Sequence, residues 1–118
     1  MSHAAAWREL ARTYARISPA LDAALRRGHG ISASEFELLT TLSTEEGGYL
    51  RMQRLAEATG LPLSTASRLV SRLETVGLLS RYLCPDDRRG VFTQITPAGR
   101  ATQAAGAETF ERTLAEHL

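Results

Sequence analysis

The sequence predicts a mainly α-helical single domain with one small β-hairpin, on three observations. Apolar residues recur at helical spacing along most of the 118 residues. One stretch near residues 79–95 switches to rough alternation about a Pro-Asp-Asp-Arg-Arg-Gly turn. Most glycines and prolines fall between these segments, Pro19, Gly99 and Gly106 excepted.

In chain order, residues 4–27 read as a long helix with a seam of Trp7, Leu10, Tyr14, Ile17, Leu21 and Ala24 in steps of three and four. Ser18-Pro19 either caps a fresh helical segment or marks a kink, and Gly28-His29-Gly30 ends the helix. The seam serves the protein's own core, a subunit interface, or both. Residues 34–45 form the next helix, with Ser34 as N-cap, Glu37 at capping-box spacing, and Phe36, Leu38, Leu39 and Leu42 turned inward. Tyr49-Leu50-Arg51 adds a short strand. Met52–Thr59 is a short helix with Met52, Leu55 and Ala56 inward, ended by Gly60, and Pro62 keeps Leu61 out of helical geometry.

The helix from Ser64 to Val76 is the most informative element. Ala66, Leu69, Val70, Leu73 and Val76 make one apolar stripe, while the opposite face carries Thr65, Ser67, Arg68, Ser71, Arg72 and Thr75, with no acid before Glu74. Hydroxyls and guanidinium groups of this kind can bond base edges and phosphates without repelling them. Ser64 is the expected N-cap and Gly77 the expected left-handed stop, followed by Leu78 as the apolar contact. Helix, glycine turn and helix make a helix-turn-helix, which places its second helix in the major groove. Leu79–Leu83 and Val91–Ile95 then read as a hairpin whose tip, Cys84 to Gly90, holds Arg88 and Arg89: the wing of a winged helix. Thr96 and Pro97 open a last helix as N-cap and first residue, with Ala101, Ala104, Ala105, Phe110, Leu114 and Leu118 as its apolar positions.

Composition narrows the function classes. The chain has the length of one domain, its 43% hydrophobic and 23% charged residues suit a folded protein, and no apolar run reaches the ~20 residues of a membrane span. Charges spread through the N-terminus argue against a signal peptide, and one cysteine forms no internal disulfide, so a cytoplasmic location without membrane association is expected. Net charge is only +1, yet residues 51–90 hold seven arginines against four acids, which concentrates positive charge where phosphates would be met. All fourteen basic residues other than histidine are arginine, a genomic bias or a preference for bidentate contacts. There is no Gly-rich phosphate loop, nucleophile elbow or paired-carboxylate scaffold, and one Cys with three scattered His supports no metal site. The expectation is a non-enzyme without cofactor or metal.

Leu55–Arg81 (LAEATGLPLSTASRLVSRLETVGLLSR), the wing Pro85–Gly90 (PDDRRG) and the exit Ile95–Arg100 (ITPAGR) together resemble the MarR family of bacterial transcriptional regulators. The resemblance covers most of the chain. It implies a winged helix-turn-helix over residues 31–96, flanked by dimerisation helices at 1–30 and 97–118. It also implies a homodimer on a pseudo-palindromic double-stranded operator, most often as a repressor, with a small aromatic effector between the dimer helices and the DNA-binding unit. Family chains usually run longer, so the extent of the dimer is left open.

The candidate site residues follow. Thr65, Ser67, Arg68, Ser71 and Arg72 are the major-groove set, and Arg88 and Arg89 the wing contacts, since a narrow minor groove draws guanidinium groups. By the resemblance Arg89 enters the groove while Asp87 shapes the wing. Trp7 and Tyr14 are candidate pocket walls, although core packing would account for them equally. Cys84 as a redox switch finds no support, because the family's peroxide sensors carry their cysteine near the first helix and none stands there. The rival reading is a winged-helix protein-interaction module that does not bind an operator.

Overall fold

The computed structural model describes residues 2–84 and 87–118, with the side chains of Cys84 and residues 87–89 outside that description. Among the described residues the elements run α1 (His3–His29), α2 (Ala33–Thr44), a 3-10 turn (Glu46–Gly48), β1 (Tyr49–Arg51), α3 (Met52–Thr59), α4 (Leu63–Thr75), β2 (Leu79–Cys84), β3 (Asp87–Ile95) and α5 (Pro97–His117). The architecture is mainly α with a β-hairpin wing, as the patterning predicts. The fold extends 51 × 32 × 23 Å, α1 and α5 lying against each other at one side of the winged helix.

The core forms where α2, α3 and α4 meet. Phe36, Leu38, Leu39 and Leu42 of α2 are buried against Met52, Leu55 and Ala56 of α3 and Ala66, Val70 and Leu73 of α4. Leu25, Ile31, Leu79 and Ile95 close the cluster from α1, its following loop and the sheet. Each fully buried leucine contributes up to about 1.5–3 kcal/mol through apolar area removed from water. Phe110 of α5 stacks on Phe36, its ring centroid 5.1 Å away, which fixes α5 to the same core.

In the sheet, β3 lies between β1 and β2, antiparallel to both. Strand alternation sends Leu79, Thr93 and Ile95 inward and leaves Tyr49, Tyr82 and Phe92 on the other face. There Tyr82 stacks on its cross-strand partner Phe92 at 5.7 Å, and Arg51 lies 5.4 Å over the same ring. The hairpin register shifts between Leu83 and Cys84, and Cys84 then pairs with Asp87.

Several boundaries differ from expectation, each for a physical reason. The capping box of α2 is Ser32 with Glu35, not Ser34 with Glu37. Both pairs have the right spacing, but only the first turns its glutamate inward, where it meets the half-exposed Arg72, and Asp22 of α1 accepts the next free amide, Ala33 N–H, at 2.8 Å. Ser64 is not the N-cap of α4: that position belongs to Pro62, two residues earlier, whose carbonyl accepts from Ala66 N–H at 2.9 Å. α1 passes through Pro19 as one helix, the proline lying on its exposed side, where water can serve the backbone carbonyl that loses its partner. Val76 lies past the end of α4 and is exposed.

α5 departs most. Its buried positions are Gly99, Gly106 and Thr113, with Ala107 and Phe110 half-buried, whereas Ala101, Ala104, Ala105 and Leu118 are exposed and Leu114 half-buried. α1 divides likewise: Ile17 is buried and Leu21 and Ala24 are half-buried, but Trp7, Leu10 and Tyr14 are open, Trp7 at 69% and Tyr14 at 73% exposure.

Candidate nucleic-acid interface

The position of α4 follows from the turns around it. Gly60 takes a left-handed conformation (φ 73°) that reverses the chain after α3, and Leu61 N–H returns to the Ala56 carbonyl at 3.1 Å. At the far end Gly77 (φ 81°) allows a second reversal, in which Leu78 N–H reaches back to the Leu73 carbonyl at 2.9 Å. The Thr96 hydroxyl donates to the Gly77 carbonyl at 2.7 Å, and a Cβ at Gly99 would run into the Leu78 carbonyl oxygen. The start of α5 is thus packed onto the end of α4. The start of α4 differs: no side chain caps its first-turn amides, and Ser64 and Arg68 nearby are exposed, with Thr65 half-buried.

The five major-groove candidates occupy unlike settings. Arg68 is exposed, and Thr65 and Ser67 are half-buried beside it. The Ser71 hydroxyl donates to the Ser67 carbonyl at 3.0 Å and accepts from Arg81 Nη2 at 2.6 Å. It therefore holds another residue's guanidinium before it can serve a ligand. Arg81 of β2 is also tied to Glu74, its backbone N–H donating to Oε2 at 3.1 Å and Nη2 lying 3.4 Å from Oε1. This positioned cation beside α4 escaped the sequence reading. Its signal was the opposite charges of Glu74 and Arg81 on either side of the Gly77 turn. Arg81, Ser67, Leu63, Gln53 and Val91 border a cleft of about 310 Å³ between α4, α3 and the base of the wing.

Arg72 lies at the edge of the face and points back. Its Nε donates to Glu35 Oε2, and its Nη2 donates to Glu35 Oε1 at 2.8 Å and to the Gly30 carbonyl at 2.8 Å. The Glu35 side chain is 2% exposed and the Arg72 side chain 45%. Burial alone would raise the Glu35 carboxyl. The hydrogen bonds from Arg72 and the Ser32 amide, with the guanidinium charge, outweigh burial and hold it below its usual range. Glu35 in turn raises Arg72. The pair joins the recognition helix to the start of α2, so Arg72 positions α4 as well as bordering its outer face.

Arg88, Arg89 and Asp87 belong to β3 by backbone, and their side chains lie outside the described residues, as does that of Cys84. Tyr14 borders a second cleft, of about 390 Å³, with Leu21, Glu37, Leu61 and Phe110, between α1, α2, α5 and the helix-turn-helix corner. Trp7 lies in neither the core nor that cleft. No helix among the described residues is long and apolar enough to cross a membrane.

These elements define a winged helix-turn-helix that presents a polar, arginine-bearing recognition helix. Residues 29–90 match the MarR family. An HTH-type transcriptional regulator of Bacillus subtilis strain 168, YxaD, is 33% identical over 108 residues, spanning 88% of this chain and 74% of its own length. Sco3205 of Streptomyces coelicolor, a MarR family transcriptional regulator solved in complex with DNA, superposes with a TM-score of 0.90 at 27% identity, over 100% of this chain and 76% of that one. AbsC, a MarR family regulator of the same organism, gives 0.87 at 28% identity, over 100% and 80%. The chain belongs to the MarR family, and it is a DNA-binding transcriptional regulator.

Proposed function

We propose that this regulator works as a homodimer on a pseudo-palindromic double-stranded operator, most simply as a repressor. The outer face of α4 supports this reading above all: an uncapped helix start, Thr65, Ser67 and Arg68 in front of it, and Arg81 fixed alongside. Thr65, Ser67 and Arg68 would meet base edges and phosphates in the major groove, Ser71 and Arg72 would set the helix, and Arg88 and Arg89 would follow the flanking minor groove with Asp87 shaping the wing. Residues 1–30 and 97–118 would form the dimer through the exposed apolar side chains of α1 and the alanine face of α5. Two recognition helices would then lie about 34 Å apart, one helical turn of duplex.

The cleft beside Tyr14 supports a small, largely apolar effector. It touches both the helices assigned to the dimer and the helix-turn-helix corner, so an occupant favouring one arrangement would shift the spacing of the recognition helices. Fluorescence anisotropy on duplexes from upstream of the protein's own gene, at two salt concentrations, tests the reading. Saturable binding tighter than to random duplex, weakened in Arg68→Ala and Arg89→Ala, is expected. Equal binding to every duplex, abolished by modest salt, would refute operator recognition and favour a protein-interaction module.

A further inference from the structure

Leu63 is the first residue of α4 and is 47% exposed, whereas Ala66, Val70 and Leu73 of the same helix are buried. It borders two clefts: the one lined by Ser67, Arg81 and Val91, and an open one along Gly60, Leu61 and Pro62. Gln53 of α3 borders both. Leu63 and Ser67 stand one helical turn apart on the same side of α4. Of the side chains at the start of this helix, Thr65, Ser67 and Arg68 are polar, and Leu63 alone among them offers a branched apolar end.

An exposed leucine at the leading end of a recognition helix has one apolar feature to meet in the major groove, the C5-methyl group of thymine. Its neighbours supply mainly hydrogen bonds to base edges, and among them only the half-buried Thr65 also carries a methyl group able to meet that of thymine. We propose that Leu63 is a specificity-determining residue that contacts a thymine methyl in each half-site. The inference rests on the operator-binding reading above and extends it to a residue and a base.

The test uses the full chain and duplexes recovered by selection from a randomised library. Each thymine of the selected half-site is replaced in turn by deoxyuridine, which keeps the pairing edge and removes only the methyl. At one thymine per half-site, wild type is expected to bind about fourfold more weakly, the worth of one methyl group taken from water into an apolar contact. Leu63→Ala, which retains the fold because the side chain is half exposed, should bind the thymine and uracil duplexes alike at that position. It should keep any sensitivity at the others. Wild-type indifference to every deoxyuridine replacement would overturn the proposal, as would a half-site lacking thymine or unchanged sensitivity in Leu63→Ala. A selection that yields no preferred duplex would instead refute operator binding itself, and so the two failures are told apart.

Discussion

On α4, Ala66, Val70 and Leu73 are sealed in the core, whereas less than half a turn around the helix Arg68 stands in water and Ser67 is half covered. Arg72, toward the edge of the outer side, and Ser71, within it between Ser67 and Arg68, are each already bonded to a neighbour: Arg72 to Glu35 and Gly30, Ser71 to Arg81. One face therefore fixes the helix in the fold, the other is left for DNA, and these two bonded residues tie that outer face to the rest of the chain. Polarity alone does not sort a residue into the outer set. What sorts it is whether its donors are already used within the chain.

Substitutions around the helix should trace this division, the loss of stability shrinking as they move outward. Leu73→Ala removes a fully buried side chain from the core where α2, α3 and α4 meet and should cost about 2–5 kcal/mol in denaturant unfolding. Its folded fraction should bind operator as wild type does. A large affinity loss at constant folded fraction would mean that the core sets the recognition face more directly than argued here.

Glu35→Ala comes next. It releases Arg72 and uncovers the Ser32 amide, so about 1–3 kcal/mol is expected. That is less than for a fully buried pair, because the Arg72 side chain keeps half its contact with water. The pair also predicts a pH dependence. The Glu35 carboxyl is held below its ordinary value of 4.5 in the folded state, so its contribution is complete above that pH and is lost as pH falls through the lowered folded value. Glu35→Gln should therefore unfold along a flatter stability–pH curve below about pH 4.5. Asp22, lowered by the Ala33 amide and by Arg26, adds a slope of the same sign that remains in the variant. Parallel curves for wild type and Glu35→Gln would remove the ion pair from this account.

Much of this division could be read from the sequence, for reasons visible in particular residues. The glycines at 60 and 77 and the Thr96-Pro97 step marked boundaries because each supplies backbone geometry or capping that few residues can. The stripe on α4 marked its inner face because its members are spaced for one side of a helix, and three of them, Ala66, Val70 and Leu73, are buried there. What remained hidden depended on contacts distant in sequence. Ser32 and Ser34 offer the same capping pattern, and the choice between them rests on Arg72, 37 residues beyond Glu35. Arg72 and Arg68 are alike in sequence and a turn apart, and only the packing of α2 against α4 separates them. The face of α5 was misjudged because its buried positions include Gly99 and Gly106, which carry no hydrophobic signal and are selected by the close approach of Leu78 and Phe36.

Toward the outer side, Arg81→Ala should cost under about 1 kcal/mol of stability, since its bonds to Ser71 and Glu74 lie near the surface. It should still weaken DNA binding, because the cation is already held in place beside the helix. Arg68→Ala is the far end of the series. Exposed, and making no hydrogen bond or ion pair among the described residues, it should shift stability by no more than about 0.5 kcal/mol. Its effect belongs to binding. A lost phosphate contact lowers the slope of log affinity against log salt by about 0.9 and weakens all duplexes together, whereas a lost base contact costs about 1–3 kcal/mol at one position of the operator only. Anisotropy titrations over a salt series, on an operator and on a duplex altered at single positions, separate these results. A variant that binds both duplexes as wild type does would show that the free side of α4 does not lie on DNA, and the division drawn here between its two sides would lose its functional meaning.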